Sequence, residues 1–215
     1  AANTWTMPPD APQPGGPNTI DTIDNRITGE ATYAHGHLHA AHSTANGAGG
    51  TASQLYKIQP FLNVTNAARC TAAVSAGLCA QITGAVMRNE TVLNYGGTTA
   101  AFFAVPQPDL DGNVTTVFNY SNTVDQYPGI AYISQRVTQP LGSFVDSGIF
   151  LITGLGRYTN GRWGDYMAVA PAGIAYRAGN CGITGTNTML FSGMYSDTTA
   201  NNAWRTRVGG NAFTN

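Results

Sequence analysis

The sequence predicts an all-β protein, and three features of it carry that prediction. Charged residues make up 10% of the chain, against roughly 25% in an average soluble protein. The strong helix formers Lys and Glu are almost missing, with Lys57 the one lysine and Glu30 and Glu90 the two glutamates. Gly, Asn and Thr take their place, and short apolar runs alternate with turn signals along nearly the whole length. Many short strands with regular turns indicate a sandwich, barrel or propeller.

The elements follow in order. Residues 1–19 hold Pro8, Pro9, Pro12, Pro14 and Pro17 with Gly15 and Gly16. They lack donors for a sheet ladder and favour extended backbone, so they read as an arm ahead of a domain over 20–215. Ala31–Ala34 and His37–His42 are strands about a turn at His35-Gly36, and Ser53–Phe61 is a third. The Ala-rich segment Asn66–Leu78 is the one helix candidate, or else a loop closed by cysteines. Val92–Tyr95 ends at Gly96-Gly97, and Thr98–Val105 runs to Pro106. Asp111-Gly112 marks a hairpin between Pro106–Leu110 and Asn113–Phe118. Ile130–Val137, Ser147–Leu155, Tyr166–Ala170 and Thr188–Tyr195 complete the strands, with Leu38, Phe118, Tyr132 and Ile149 expected in the core.

Composition excludes several classes. A formal charge of -1 without basic runs does not suit nucleic acid, whose phosphates need Lys and Arg. No apolar stretch reaches the length of about 18 residues that a spanning helix needs; the longest candidate, Thr71–Met87, is broken by Ser75, Gly77, Gln81, Thr83 and Gly84. The start at Ala1-Ala2-Asn3 is one that signal-peptide removal, or trimming of a longer chain, would leave. Cys70 and Cys79 bracket a short loop and are expected to form a disulfide, with Cys181 free or joined to another chain. Sequons stand at Asn63, Asn89, Asn113 and Asn119. Together these features point to an extracellular protein, secreted or on the cell surface.

Several phrases resemble the C-terminal region of secreted bacterial β-propeller proteins of the sialidase-like or BNR-repeat kind. Asp24-Asn25-Arg26, then Tyr33, Gly36, Leu38 and Ala41-His42-Ser43, is similar to one blade phrase. Asp109–Asn113 with Val117-Phe118-Asn119, Tyr127-Pro128 and Arg136 is similar to the next. Arg162-Trp163-Gly164-Asp165-Tyr166, ending near Trp204-Arg205-Thr206-Arg207, resembles the closing segment. The resemblance runs in order from about residue 20 to 208. It implies a propeller-like array of short antiparallel sheets and an extracytoplasmic site, with no settled activity. At roughly 40 to 50 residues per blade the chain holds about four, the low end for closure without a partner.

Three groups of residues are candidates for chemistry. All four histidines, His35, His37, His39 and His42, fall in one octet. On a strand His37 and His39 share a face, and two or three neutral imidazoles suit a transition metal such as Cu or Zn. Arg162, Trp163, Asp165 and Tyr166 combine a cation, an indole, a carboxylate and a phenol, the makings either of a glycan platform or of packing between blades. Asp109, Asp111 and Asn113 alternate as calcium ligands do, but the Gly is misplaced and no twelfth-position Glu follows, which favours a hairpin turn. A sialidase would need several Arg around a carboxylate and paired acids or a Tyr nucleophile; Arg26, Arg136, Arg162, Arg205 and Arg207, with Tyr127 or Tyr166, are available without a fixing spacing.

The expected function is a secreted or surface-displayed propeller-type module for binding or assembly, without catalysis. The alternatives are a Cu- or Zn-binding surface protein using the His cluster, and a sialidase-like glycoside hydrolase. Open sheet faces, and Trp5 and Met7 in the arm, further predict a homo-oligomer or filament in which the arm lies on a neighbouring subunit.

Overall fold

The structure, a computed structural model, describes residues 5–16, 20–65, 79–164, 167–172, 174–175, 184–185, 188–198 and 203–213. Among the described residues there is no helix, and the strands are β1 (Thr32–Ala34), β2 (His37–Ala45), β3 (Thr51–Thr65), β4 (Cys79–Leu93), β5 (Ala100–Pro108), β6 (Val114–Ser121), β7 (Tyr127–Gln135), β8 (Ile149–Gly154), β9 (Ala168–Pro171), β10 (Ile174–Ala175), β11 (Thr184–Gly185), β12 (Thr188–Ser196) and β13 (Trp204–Ala212). They form antiparallel sheets in the orders β1-β2-β3-β4, β5-β6-β7-β8 and β13-β12-β9, with a small β10-β11 pair. The protein is all-β, as its composition predicts. The helix candidate Asn66–Leu78 lies outside the described residues.

The β5–β8 sheet is the central one, because both its faces are covered. Ala101, Ala104, Phe118, Ala131 and Ile133 meet Ala41, Leu55 and Leu93 of the first sheet. Phe102, Phe103, Val105, Val117 and Ile130 meet Phe191 and Tyr195 of the third, together with Met167, Tyr158 and Trp163. Burying both faces explains why β5 and β6 read as nearly continuous apolar and small runs instead of alternating ones. A bulge in β5 between Phe102 and Val105, with Phe103 at φ 54°, lets Phe102 and Phe103 both enter the same layer.

Local chemistry accounts for the turns. His35 and Gly36 both adopt positive φ (50° and 74°), the two-residue turn that suits the twist of a β1–β2 hairpin. Asp109 caps the β5–β6 turn: its Oδ1 accepts from the Asp111 and Asn113 N–H groups, each at 2.9 Å, and its Oδ2 from the Asn113 amide at 2.8 Å. The Asp-x-Asp-x-Asn phrase is therefore a self-bonded turn.

Some boundaries and burials differ from expectation. Of the predicted strand at Val92–Tyr95, Val92 and Leu93 are the end of β4, which starts at Cys79, and Asn94 and Tyr95 lie beyond it. Of the four expected core residues Phe118 is fully buried, Leu38 and Tyr132 are half-buried, and Ile149 is 43% exposed because β8 is an edge strand. The arm also differs: Ala11 and Gln13 are 0% exposed, and Ala11 bridges Ile20 within the layer between the central and third sheets. Residues 5–16 lie on their own chain. Thr6 O accepts from Ala45 N and Thr44 Oγ1, Pro9 O from Thr22 and Thr51 hydroxyls, and Gln13 exchanges bonds with the Tyr158 backbone. Trp5 is half-buried against His42, whereas Met7 stays exposed.

Candidate functional site

Three of the four histidines converge. His39 and His37 alternate on β2 toward the same side, their rings 6.5 Å apart. His35, from the preceding turn, joins them at an open pocket of about 190 Å³ completed by Lys57, Pro108, Asp111, Gly112 and Val137. His35 Nε2 donates to Asp109 O and His37 Nδ1 to His35 O, each at 2.8 Å, which orients both rings. His39 is 4% exposed, and its burial, reinforced by the positive charge of Lys57 and by His37 and His35, pushes its pKa down to about 4. A neutral imidazole therefore faces the pocket at ordinary pH.

His42 does not belong to this group. Three positions along β2 from His39, it faces the opposite side of the sheet, where its Nδ1 donates to Ser43 O and its Nε2 accepts from the Tyr56 hydroxyl at 2.9 Å. The rings of His42 and Tyr56 stack at 5.6 Å. The Trp5 indole bonds the same phenol, whose pKa is pushed up to about 12 chiefly by burial. The four-His set is thus corrected to three pocket residues and one that fastens the arm. Among the described residues no three His, Cys, Asp or Glu side chains form a group able to hold a metal ion.

The Arg162–Tyr166 phrase divides as well. Trp163 is 1% exposed and wedged against Tyr158, ring centroids 4.9 Å apart, so its faces are closed to a sugar. Arg162 is exposed and stands 3.7 Å from Asp21. Gly164 lies so close to Met194 that a Cβ there would fall 1.9 Å from its sulfur, the close approach that packing between layers requires. Asp165 and Tyr166 lie outside the described residues, as do Cys70 and Cys181, and Cys79 is described only as the first residue of β4. Arg26 pairs with Asp24 at 2.6 Å and Arg205 with Asp197 at 2.6 Å, so Arg26, Arg162 and Arg205 each meet a different carboxylate. Two sequon residues, Asn113 and Asn119, are buried at 6% and 0% exposure and closed to a glycosylating enzyme.

No family model, curated protein or solved structure matches the chain.

Sequence reasoning missed Asn119 as anything but a sequon. Its amide donates to Gly129 O at 2.8 Å and Met194 O at 2.9 Å, and its oxygen accepts from the Trp163 indole at 3.2 Å. An Asn flanked by apolar strand residues, at a position whose neighbours are buried, is the available signal for such a polar joint. It also missed that the β3–β4 hairpin runs on past β2. β2 pairs with β3 only as far as Ile58, while β3 and β4 stay paired out to Thr65 and Cys79. Phe61, Ile82 and Met87 are exposed on this ribbon at 47%, 66% and 47%.

Proposed function

We propose that the chain is a secreted or surface-displayed module of propeller type that works by binding and assembly, its stacked sheets being consecutive blades of an array that a second copy of the chain completes. The observation that carries this reading is the β3–β4 ribbon, which extends beyond β2 with Phe61 and Ile82 in solvent and Met87 exposed at its base. Apolar side chains on a projecting two-stranded ribbon gain by burial against another surface, at roughly 25 cal/mol per Å² of apolar area. β4 is also an edge strand, with a bulge at Arg88 where Lys57 and Ile58 pair with Asn89 and Met87. Such a bulge blunts indiscriminate edge pairing and leaves the ribbon's side chains as the specific contact. The low Lys and Glu content supports the extracellular setting.

Light scattering on the purified chain over a concentration series tests the reading. Self-association is expected, and it is expected to disappear when Phe61, Ile82 and Met87 are all changed to Ser. A chain that stays at 22.5 kDa at every concentration overturns it.

A further inference from the structure

A second pocket, unrelated to the histidines, lies where the first sheet stops short of the central one. The first sheet packs over β5 through β2 and β3 and reaches Ala131 and Ile133 of β7, while Phe150 of β8 stays 45% exposed. The segment after β7 folds back there, with Val145 N donating to Ser134 O at 2.7 Å. The gap that remains has a volume of about 200 Å³ and is lined by Tyr95, Tyr120, Ala131, Ser147, Gly148 and Phe150.

Its lining brings together three aromatic residues, Tyr95, Tyr120 and Phe150, and a third hydroxyl-bearing side chain, Ser147. Tyr120 meets Tyr95 edge to face at 5.4 Å and Phe150 at 5.1 Å, making a continuous aromatic wall with Phe150 45% exposed at its outer end. The Tyr95 hydroxyl lies against Gly148, where a Cβ would come within 2.5 Å of it. Asp146, beside the pocket, accepts from Gly148 N at 3.1 Å, and burial raises its carboxyl above the ordinary range. Among the described residues no partner engages the hydroxyls of Tyr95, Tyr120 or Ser147.

These features select the occupant. The volume is below the roughly 300–1,000 Å³ of drug-sized sites, so the pocket takes one ring. A purely apolar or aromatic ring would leave three hydroxyls without partners as water is displaced, which is costly. An anion is opposed by Asp146. A quaternary ammonium needs rings standing apart around it, whereas these rings touch one another. A saturated ring with an apolar C–H face and peripheral hydroxyls satisfies both kinds of wall. We propose that this pocket binds a single neutral pyranose residue, its C–H face on Phe150 and its hydroxyls bonded by Tyr95, Tyr120 and Ser147. The site is separate from the ribbon, so it stands whether or not the chain self-associates.

Saturation-transfer NMR tests it on the full chain, with the methyl glycosides of glucose, galactose, mannose and N-acetylglucosamine as probes and cyclohexanol and choline as controls. Transfer to the ring C–H protons of at least one glycoside is expected, with none to either control. Phe150→Ala is expected to abolish it, and Tyr120→Phe, which deletes one oxygen, to weaken the Kd roughly tenfold, the effect of about one hydrogen bond. If Phe150→Ala does not fold, Tyr120→Phe decides alone. Absence of transfer to every glycoside, transfer unchanged in Tyr120→Phe, or preferential binding of choline or cyclohexanol overturns the proposal.

Discussion

The indole of Trp163 donates to the side-chain oxygen of Asn119 at 3.2 Å, with both residues essentially removed from solvent. The same Asn amide reaches the backbone of β7 through Gly129 and of β12 through Met194. One side chain therefore joins the central sheet, the third sheet and the segment between β8 and β9. All its polar atoms are engaged, so the joint is favourable despite its burial.

Asn119→Ala strands three polar groups in the interior and opens a small cavity, and is expected to cost about 3 kcal/mol or more. Trp163→Phe, which leaves Asn119 Oδ1 without its donor, is expected to cost less than Asn119→Ala. Urea denaturation of both single variants and the double variant measures this. Independent, additive losses would contradict the joint.

The lowered pKa of His39 makes stability depend on pH. The unfolded chain takes up this proton below its ordinary value of 6.5, while the folded chain does so only near 4. Stability is therefore full above about pH 6.5, falls as pH drops toward 4, and levels below that, a loss on the order of 3 kcal/mol. His39→Asn is expected to flatten that window in denaturant titrations at stepped pH. Lys57, His37 and His35 face the same ring, so Lys57→Met is expected to narrow it.

The relay from Trp5 through Tyr56 to His42 holds the arm. Tyr56→Phe removes the hydroxyl that both partners use, and is expected to cost about 1–3 kcal/mol and to expose residues 5–16 to protease before the sheets. Limited proteolysis with mass mapping reads out the order of cuts. An arm as resistant in Tyr56→Phe as in the parent would sink the assignment.

β7 and β8 cross closely at two glycines. A Cβ on Gly129 would sit 2.5 Å from Ile152 O, and one on Gly154 2.5 Å from Pro128 O. Backbone cannot yield as a side-chain tip can, so Gly129→Ala is expected to cost more than about 2 kcal/mol. Gly84→Ala, on the ribbon, meets only the Phe61 ring at 3.3 Å and is expected to be nearly neutral. Thermal melts of the two variants compare them directly.

Sheet residues were legible where one neighbour determined them. The His35-Gly36 and Asp111-Gly112 turns set their hairpins, and His37 and His39 share a side because strand alternation leaves no choice. Residues 82–88 of β4 were not legible: nearly all are exposed on a ribbon, so no alternation marks them. The aromatic pocket escaped for a different reason. Tyr95, Tyr120 and Phe150 come from three separate places in the chain and meet only once the sheets have formed. His42 was misplaced because proximity in sequence hides the face on which a side chain stands.

Gln13 and Tyr158 exchange side-chain and backbone bonds across 145 residues of sequence, with Arg157 bonding Gly15 O beside them. A ribosome emits the arm long before it emits the surface that receives it. The partner of Gln13 is therefore made 145 residues after Gln13 itself, whereas Thr6 and Pro9 bond residues that follow within the first sheet and its approach. The arm's proline-rich, nearly uncharged sequence resists pairing with passing strands during that interval. The arm is thus fastened twice, and a chain halted before residue 158 keeps the bonds of Thr6 and Pro9 to Thr44, Ala45, Thr22 and Thr51 but lacks the one at Gln13.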